Sequence, residues 1–154
     1  MSRADAFAGF RVTFSNMISK PEVIGYPERK TPVFPRFRGR HRLWTHDNGL
    51  EKCVGCSLCV AACPADCIRV VAEENTPERR VSAGERFAHI YEINMLRCIF
   101  CGYCELACPF DAITLEAEYE MSERERDHEI YTKDMLLAPH PKPVPVRAQE
   151  IGAE

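Results

Sequence analysis

The run Cys53-Val-Gly-Cys-Ser-Leu-Cys-Val-Ala-Ala-Cys-Pro-Ala-Asp recurs 45 residues later as Cys98-Ile-Phe-Cys-Gly-Tyr-Cys-Glu-Leu-Ala-Cys-Pro-Phe-Asp. Four cysteines, a proline and an aspartate fall at matching positions. The match continues through Cys67-Ile68-Arg69-Val70 against Ala112-Ile113-Thr114-Leu115. Self-similarity at a fixed offset marks two copies of one structural unit, here a ligand loop, a short helix and a strand. Ile68 to Ala72 and His89 to Ile93 are apolar, β-branched stretches, and the polar segment Glu73 to Glu85 between them, with Pro77 and Gly84, reads as an inserted loop. The two stretches are predicted to pair as a hairpin. By symmetry, Arg42 to Thr45 should pair with Ile113 to Leu115. The expected fold is therefore α+β, a pseudo-twofold domain over residues 41–117 with an N-terminal extension (1–40) and a C-terminal one (118–154).

The spacing of the cysteines narrows their chemistry. In C-x2-C-x2-C, three thiolates lie within seven residues, so one loop can wrap a cubane and present sulfur to three irons. The fourth cysteine of C-x2-C-x2-C-x3-C-P ligates the other cluster in two-cluster proteins. The expected ligands of cluster 1 are thus Cys53, Cys56, Cys59 and Cys108, and those of cluster 2 are Cys98, Cys101, Cys104 and Cys63. Pro64 and Pro109 lack a backbone N–H and stop the ligand loop from continuing regularly. Structural zinc prefers separated pairs of ligands, which is a poor match to two runs of four. Two [4Fe-4S] clusters in an electron-transfer protein are the expectation, with Val54, Leu58, Ile68, Ile99, Phe100, Tyr103 and Ile113 excluding water. Cys67, whose repeat mate is Ala112, reads as a small buried hydrophobe, with a redox or spare-ligand role as the alternative.

Nine cysteines in 154 residues would suggest disulfides in a secreted chain, but the number is odd and Met1 to Lys20 lacks a secretory pattern. Reduced or metal-bound thiols in the cytoplasm are expected. No stretch approaches the roughly 20 apolar residues that span a bilayer. The net charge of −3 hides a division: ten Lys/Arg against five Asp/Glu up to Lys52, then ten against eighteen. A basic arm precedes an acidic body, an asymmetry that a partner or an anionic lipid surface can read.

The extensions exceed what a soluble ferredoxin needs. Ala6 to Ile18 places Phe7, Phe10, Phe14, Met17 and Ile18 at spacings of three and four, predicting an amphipathic helix that ends at Pro21. Its apolar face must rest on its own core, a partner subunit or a membrane interface. Pro21, Pro27, Pro32 and Pro35, followed by Arg36, Arg38, Arg40 and Arg42, predict an extended arm over a surface. Glu118 to Asp134 is charged and expected to be partly helical, and Pro139, Pro141, Pro143 and Pro145 read as a second strap. The arginines come with no nucleic-acid-binding module, and nucleic acid is not an expected partner. No Gly-x-Gly-x-x-Gly fingerprint is present, so neither NADH nor flavin is expected to bind this chain directly.

Four stretches carry a family resemblance: Pro35-Arg-Phe-Arg-Gly-Arg-His41, Gly49-Leu-Glu-Lys-Cys-Val-Gly-Cys-Ser-Leu-Cys59, Val81-Ser-Ala-Gly-Glu-Arg86 and Tyr91-Glu-Ile-Asn-Met-Leu-Arg-Cys-Ile-Phe-Cys-Gly-Tyr-Cys104. With them the chain resembles the two-cluster, ferredoxin-like subunit I of proton-pumping NADH:quinone oxidoreductase, respiratory complex I. The resemblance implies a peripheral-arm subunit at the cytoplasmic face of the cell membrane. It would relay electrons through two 4Fe-4S clusters towards the terminal cluster and quinone, with other peripheral-arm subunits and the membrane junction as partners. Peripheral membrane contact would run through the N-terminal helix. The rivals are the equivalent subunit of a membrane-bound hydrogenase or related dehydrogenase, and a diffusing two-cluster ferredoxin.

Overall fold

The computed structural model describes residues 3–20 and 23–137, with side-chain placement from residue 7 onward. The chain divides into two compact units, one ending at Thr31 and one beginning at Pro32.

The first unit carries helix α1, Arg3–Ile18. Phe7, Phe10, Phe14, Met17 and Ile18 share one face at 3.6 residues per turn. All are 60–74% exposed. Arg11 borders that stripe, and Val12, also exposed, lies on the opposite side, so the helix is less cleanly amphipathic than the five-residue stripe suggests. The arm after it is not uniformly extended. The Arg29 N–H bonds to the Gly25 carbonyl at 2.7 Å, closing a turn. Pro21 and the prolines 139–145 lie outside the described residues.

The second unit is built on the repeat. Strand β1 (His41–Leu43) is followed by α2 (Leu58–Ala61), β2 (Ile68–Glu74), β3 (Arg86–Asn94), α3 (Tyr103–Leu106), β4 (Ile113–Leu115), a 3-10 turn (Arg126–Glu129), β5 (Ile130–Thr132) and α4 (Lys133–Leu137). β2 and β3 are antiparallel, with Ile68 opposite Ile93 and Val70 opposite Tyr91. β1 and β4 are antiparallel, with Leu43 opposite Ile113 and His41 opposite Leu115. Both predicted pairings are present. Side chains of a strand alternate between faces, and Tyr91 and Ile93 duly point inward. Phe87 and Ala88 are both buried because the register shifts between Val71 and Ala72, a bulge that resets the alternation.

The connection between β2 and β3 is shorter than expected, residues 75–85, and is organised by Asn75. Its side-chain amide donates to the Ser82 hydroxyl (3.0 Å) and the Gly84 carbonyl (2.8 Å), and its oxygen accepts from the Val81 N–H (2.9 Å). The Ser82 hydroxyl in turn donates to the Arg86 carbonyl at 2.6 Å. A buried polar group without such partners would cost about 1–3 kcal/mol, and here each one named is satisfied.

Residues 118–134 are partly helical, as expected, in one 3-10 turn and in the start of α4 at Lys133. The rest is irregular chain and β5, which forms the edge of a β2-β3-β5 sheet. Tyr131 faces Ile93, and Leu136 on α4 is fully buried. The Lys133 ammonium anchors this end, donating to the Ala88 carbonyl (2.9 Å) and pairing with Glu51 (2.8 Å). The energetic weight of the segment is open to direct measurement: Leu136→Ala is expected to lower unfolding free energy by about 2–5 kcal/mol, the cost of a large-to-small change in a packed core, read from denaturant titration. A change below about 0.5 kcal/mol would mean that α4 is a surface appendage.

The basic arm also turns inward. The Gly39 N–H bonds to the Glu116 carbonyl and the Arg40 N–H to the Glu118 carbonyl, each at 2.9 Å, extending the β1–β4 ladder. A side chain at Gly39 would overlap the Glu118 carbonyl, so the approach of the two strands requires glycine. Arg40 donates to the Met135 carbonyl (2.7 Å), approaches Glu118 (3.8 Å) and lies over the Tyr131 ring. Arg42 stacks on Trp44, whose indole N–H donates to the Thr114 hydroxyl at 2.7 Å. These two arginines hold their own domain together, while Arg36 and Arg38 remain exposed.

Candidate metal centres

The loops that carry the cysteines have a repeated backbone. Left-handed φ occurs at Gly55 and Phe100, at Ser57 and Gly102, and at Asp66 and Asp111, each pair separated by the repeat offset. A bulky residue such as Phe100 rarely adopts this region. Its presence shows that the loop shape is imposed by the surroundings. At Gly55 the reason for glycine is steric, since a Cβ would meet Ala72 and the Phe87 carbonyl of the β2–β3 hairpin. The turns aim backbone N–H groups at sulfur. Phe100 donates to Cys98 Sγ at 3.4 Å, and its mate Gly55 donates to Cys53. Ala112 donates to Cys108 Sγ at 3.3 Å, and its mate Cys67 donates to Cys63.

Two pockets result. The first, about 350 Å3 of space unfilled by protein, is lined by Cys53, Cys56 and Cys59 from the first repeat and Cys108 from the second, with Leu43, Val54, Val70, Tyr91 and Ile113 around them. The second, about 280 Å3, is lined by Cys98, Cys101 and Cys104 from the second repeat and Cys63 from the first, with His41, Cys67, Ile68 and Ile99. Among the described residues, no three His, Cys, Asp or Glu side chains converge closely enough to hold a single ion. Four thiols line the first pocket, and four with Cys67 beside them line the second. Sulfur donors in quartets, with N–H groups directed at them, fit an iron–sulfur cluster in each pocket.

Burial governs the thiols. It pushes Cys53 up to about 11 and Cys104 up to about 12, and it raises Cys59 and Cys98. Iron must displace these protons, so cluster loading releases them. Cys63 goes the other way: burial opposes ionisation, but hydrogen bonds from the Cys67 N–H and thiol and from the Ala65 and Asp66 N–H groups outweigh it. Cys67 is buried, its sulfur 3.4 Å from Cys63 Sγ. Burial first, and then donation to Cys63, keeps it a thiol. It packs as the small hydrophobe expected and also contacts a cysteine of the second quartet.

Two side chains that sequence reasoning did not single out reach the sulfurs. The Tyr91 hydroxyl donates to Cys59 Sγ at 3.3 Å, and His41 Nε2 lies 3.9 Å from Cys98 Sγ. Burial, followed by the neighbouring thiolates, lifts Tyr91 well above the usual phenol range, so its proton stays available for donation. Burial lowers His41 to about 4, so its ring is neutral. Both residues lie in the stretches that carry the family resemblance, but nothing in those stretches connects either one to a particular cysteine. Among the residues expected to exclude water, Ile68 and Ile113 are buried and Val54 and Phe100 are half-buried, but Leu58, Ile99 and Tyr103 are 47–63% exposed. Leu58 and Tyr103 lie on single-turn helices, and Ile99 lies in the loop before α3 at the edge of the second pocket.

Residues 52–112 match the family model described as a 4Fe-4S dicluster domain. The chain is also similar to a chain in the structure of the membrane-bound sulfane sulfur reductase, described as an archaeal respiratory membrane complex. The two share 26% sequence identity with a TM-score of 0.51, over 88% of this chain and 61% of that one. The likeness thus spans less than two thirds of the other chain's length.

Proposed function

We propose that this chain relays electrons through two [4Fe-4S] clusters within a membrane-associated respiratory oxidoreductase, and that the complex is a proton-pumping NADH:quinone oxidoreductase. The observation that carries the relay is the exchange of cysteines between repeats. Each pocket is walled by three sulfurs from one copy and one from the other, so both halves of the domain would grip both clusters. Cluster separation would then be held by short covalent paths, with little rearrangement as electrons pass. When bound, the clusters supply the one-electron chemistry. The protein's own residues hold them, direct N–H groups at their sulfurs and limit the approach of water.

The finer assignment is supported by where the distinctive stretches act. Pro35 to His41 supplies the Arg40 clamp and the His41 ring, and Tyr91 to Cys104 supplies Tyr91 and three sulfurs of the second quartet. NADH and flavin would be bound by other subunits, as would quinone. Association with the cytoplasmic face of the membrane would be peripheral, since no described helix is long and apolar enough to cross a bilayer. A second reading is favoured by the sulfane sulfur reductase likeness: the same relay in a related membrane complex with a different electron donor and acceptor.

Tagged chain purified from gently solubilised membranes tests both. The expected result is a large complex with NADH-dependent, inhibitor-sensitive quinone reduction. Hydrogen-dependent activity or reduction of sulfane sulfur by the same eluate would favour the second reading. A small brown protein with neither activity would leave only a ferredoxin.

A further inference from the structure

Strands β1 and β3 occupy corresponding places in the two repeats. β4 repeats β2 at the offset of 45 residues, Ile113 for Ile68 and Leu115 for Val70. Leu43 and His41 lie opposite the β4 residues, and Ile93 and Tyr91 lie opposite their β2 mates. His41 and Tyr91 are therefore structural counterparts, although they stand 50 residues apart. Both are buried, at 2% and 1% exposure, and each lines the pocket of a different cysteine quartet.

The two differ in what they offer. Tyr91 donates an O–H to Cys59 Sγ at 3.3 Å. His41 presents Nε2 to Cys98 Sγ at 3.9 Å, while its buried Nδ1 has no partner among the described residues. A proton on Nδ1 would leave a buried donor unmet and deprive the sulfur of one. The tautomer protonated at Nε2 leaves only a bare lone pair, so His41 is the weaker, longer donor of the two.

We propose that Tyr91 and His41 tune the two clusters' reduction potentials independently, each raising the potential of the one cluster whose ligand sulfur it contacts. The inference rests on the two-cluster reading above. Reduction places added negative charge partly on the ligand sulfurs, and a hydrogen bond to sulfur stabilises that charge. Cys59 and Cys98 belong to different quartets whether or not the fourth ligands are exchanged. The pairing of residue to cluster thus stands apart from that question. Tyr91, with its shorter bond, has the larger effect.

The test is a redox titration followed by electron paramagnetic resonance on the full chain in its purified membrane complex. The signals are assigned with Cys56→Ala, which removes a ligand from the first loop alone. Tyr91→Phe is expected to lower the midpoint of the Cys56-dependent cluster and leave the other in place. His41→Leu is expected to lower the other by a smaller amount. Tyr91→3-fluorotyrosine keeps the ring and makes the hydroxyl more acidic, so it should raise the first midpoint and provides a readout even if Tyr91→Phe loses iron. Unchanged midpoints at unchanged iron content, or equal shifts of both clusters in either variant, would overturn the proposal. A wild-type protein that lacks two cluster signals would instead overturn the two-cluster reading on which it rests.

Discussion

Cys108→Ser is expected to abolish the cluster of Cys53, Cys56 and Cys59 and to spare the one held by Cys98, Cys101 and Cys104, although Cys108 lies in the same motif as the latter three. The reason is spatial. Cys108 lines the first pocket together with the three cysteines of the other repeat, and its sulfur is held there by the Ala112 N–H. A serine oxygen is a harder and far less acidic donor than a thiol and is a poor replacement in a soft sulfur set. On the two-cluster reading, iron content should fall by about half. The check is iron and sulfide analysis with paramagnetic resonance of the reduced protein. Loss of the cluster of Cys98, Cys101 and Cys104, with the other intact, would mean that each repeat ligates its own cluster.

If the proposed assembly holds, Phe10→Asp combined with Phe14→Asp is expected to release the chain from its membrane-bound complex without loss of iron. Phe10 and Phe14 are 73% and 60% exposed on one face of α1, and the cysteines all belong to the other unit. Covering a phenylalanine is worth about 1.5–3 kcal/mol. Losing two therefore weakens attachment by about 3–6 kcal/mol, roughly a hundred- to ten-thousandfold. Fractionation and immunoblotting measure it, with Val12→Asp on the opposite face as the control expected to have little effect. Full retention of the double variant in the membrane fraction would show that α1 does not anchor the chain, and equal release by Val12→Asp would show that no single face does.

The repeated core was legible from sequence because its signals are local. Cysteine spacing within a loop decides which sulfurs can meet, and alternation over a few residues decides which strand face is buried. The predicted pairings of Ile68–Ala72 with His89–Ile93 and of Arg42–Thr45 with Ile113–Leu115 accordingly lie within three residues of the observed ladders at every end. The segment after Ala117 was obscured by its charge. In β5 one inward side chain, Tyr131, sits between exposed Ile130 and Thr132, and α4 shows its burial only at Leu136. So few apolar positions among acids and bases make no period. Arg40 misleads in a similar way: an arginine in a basic, proline-rich run reads as part of an arm laid over another surface, yet its guanidinium meets a carbonyl, a carboxylate and an aromatic ring of its own domain.

By itself the sequence determined the two ligand loops, their duplication, the strand that follows each, and the chemistry that clustered thiols can support, because all of these depend on residues close together in the chain. Only the tertiary structure decided that Arg40 and Arg42 belong to the core, that β5 and α4 complete it, and that His41 answers to Tyr91. That last correspondence escapes any search at the repeat offset, since the stretch from strand to ligand loop differs in length between the two copies. Hydrogen bonding to a particular sulfur is settled by strand register and burial, which arise only when residues far apart in the chain pack together.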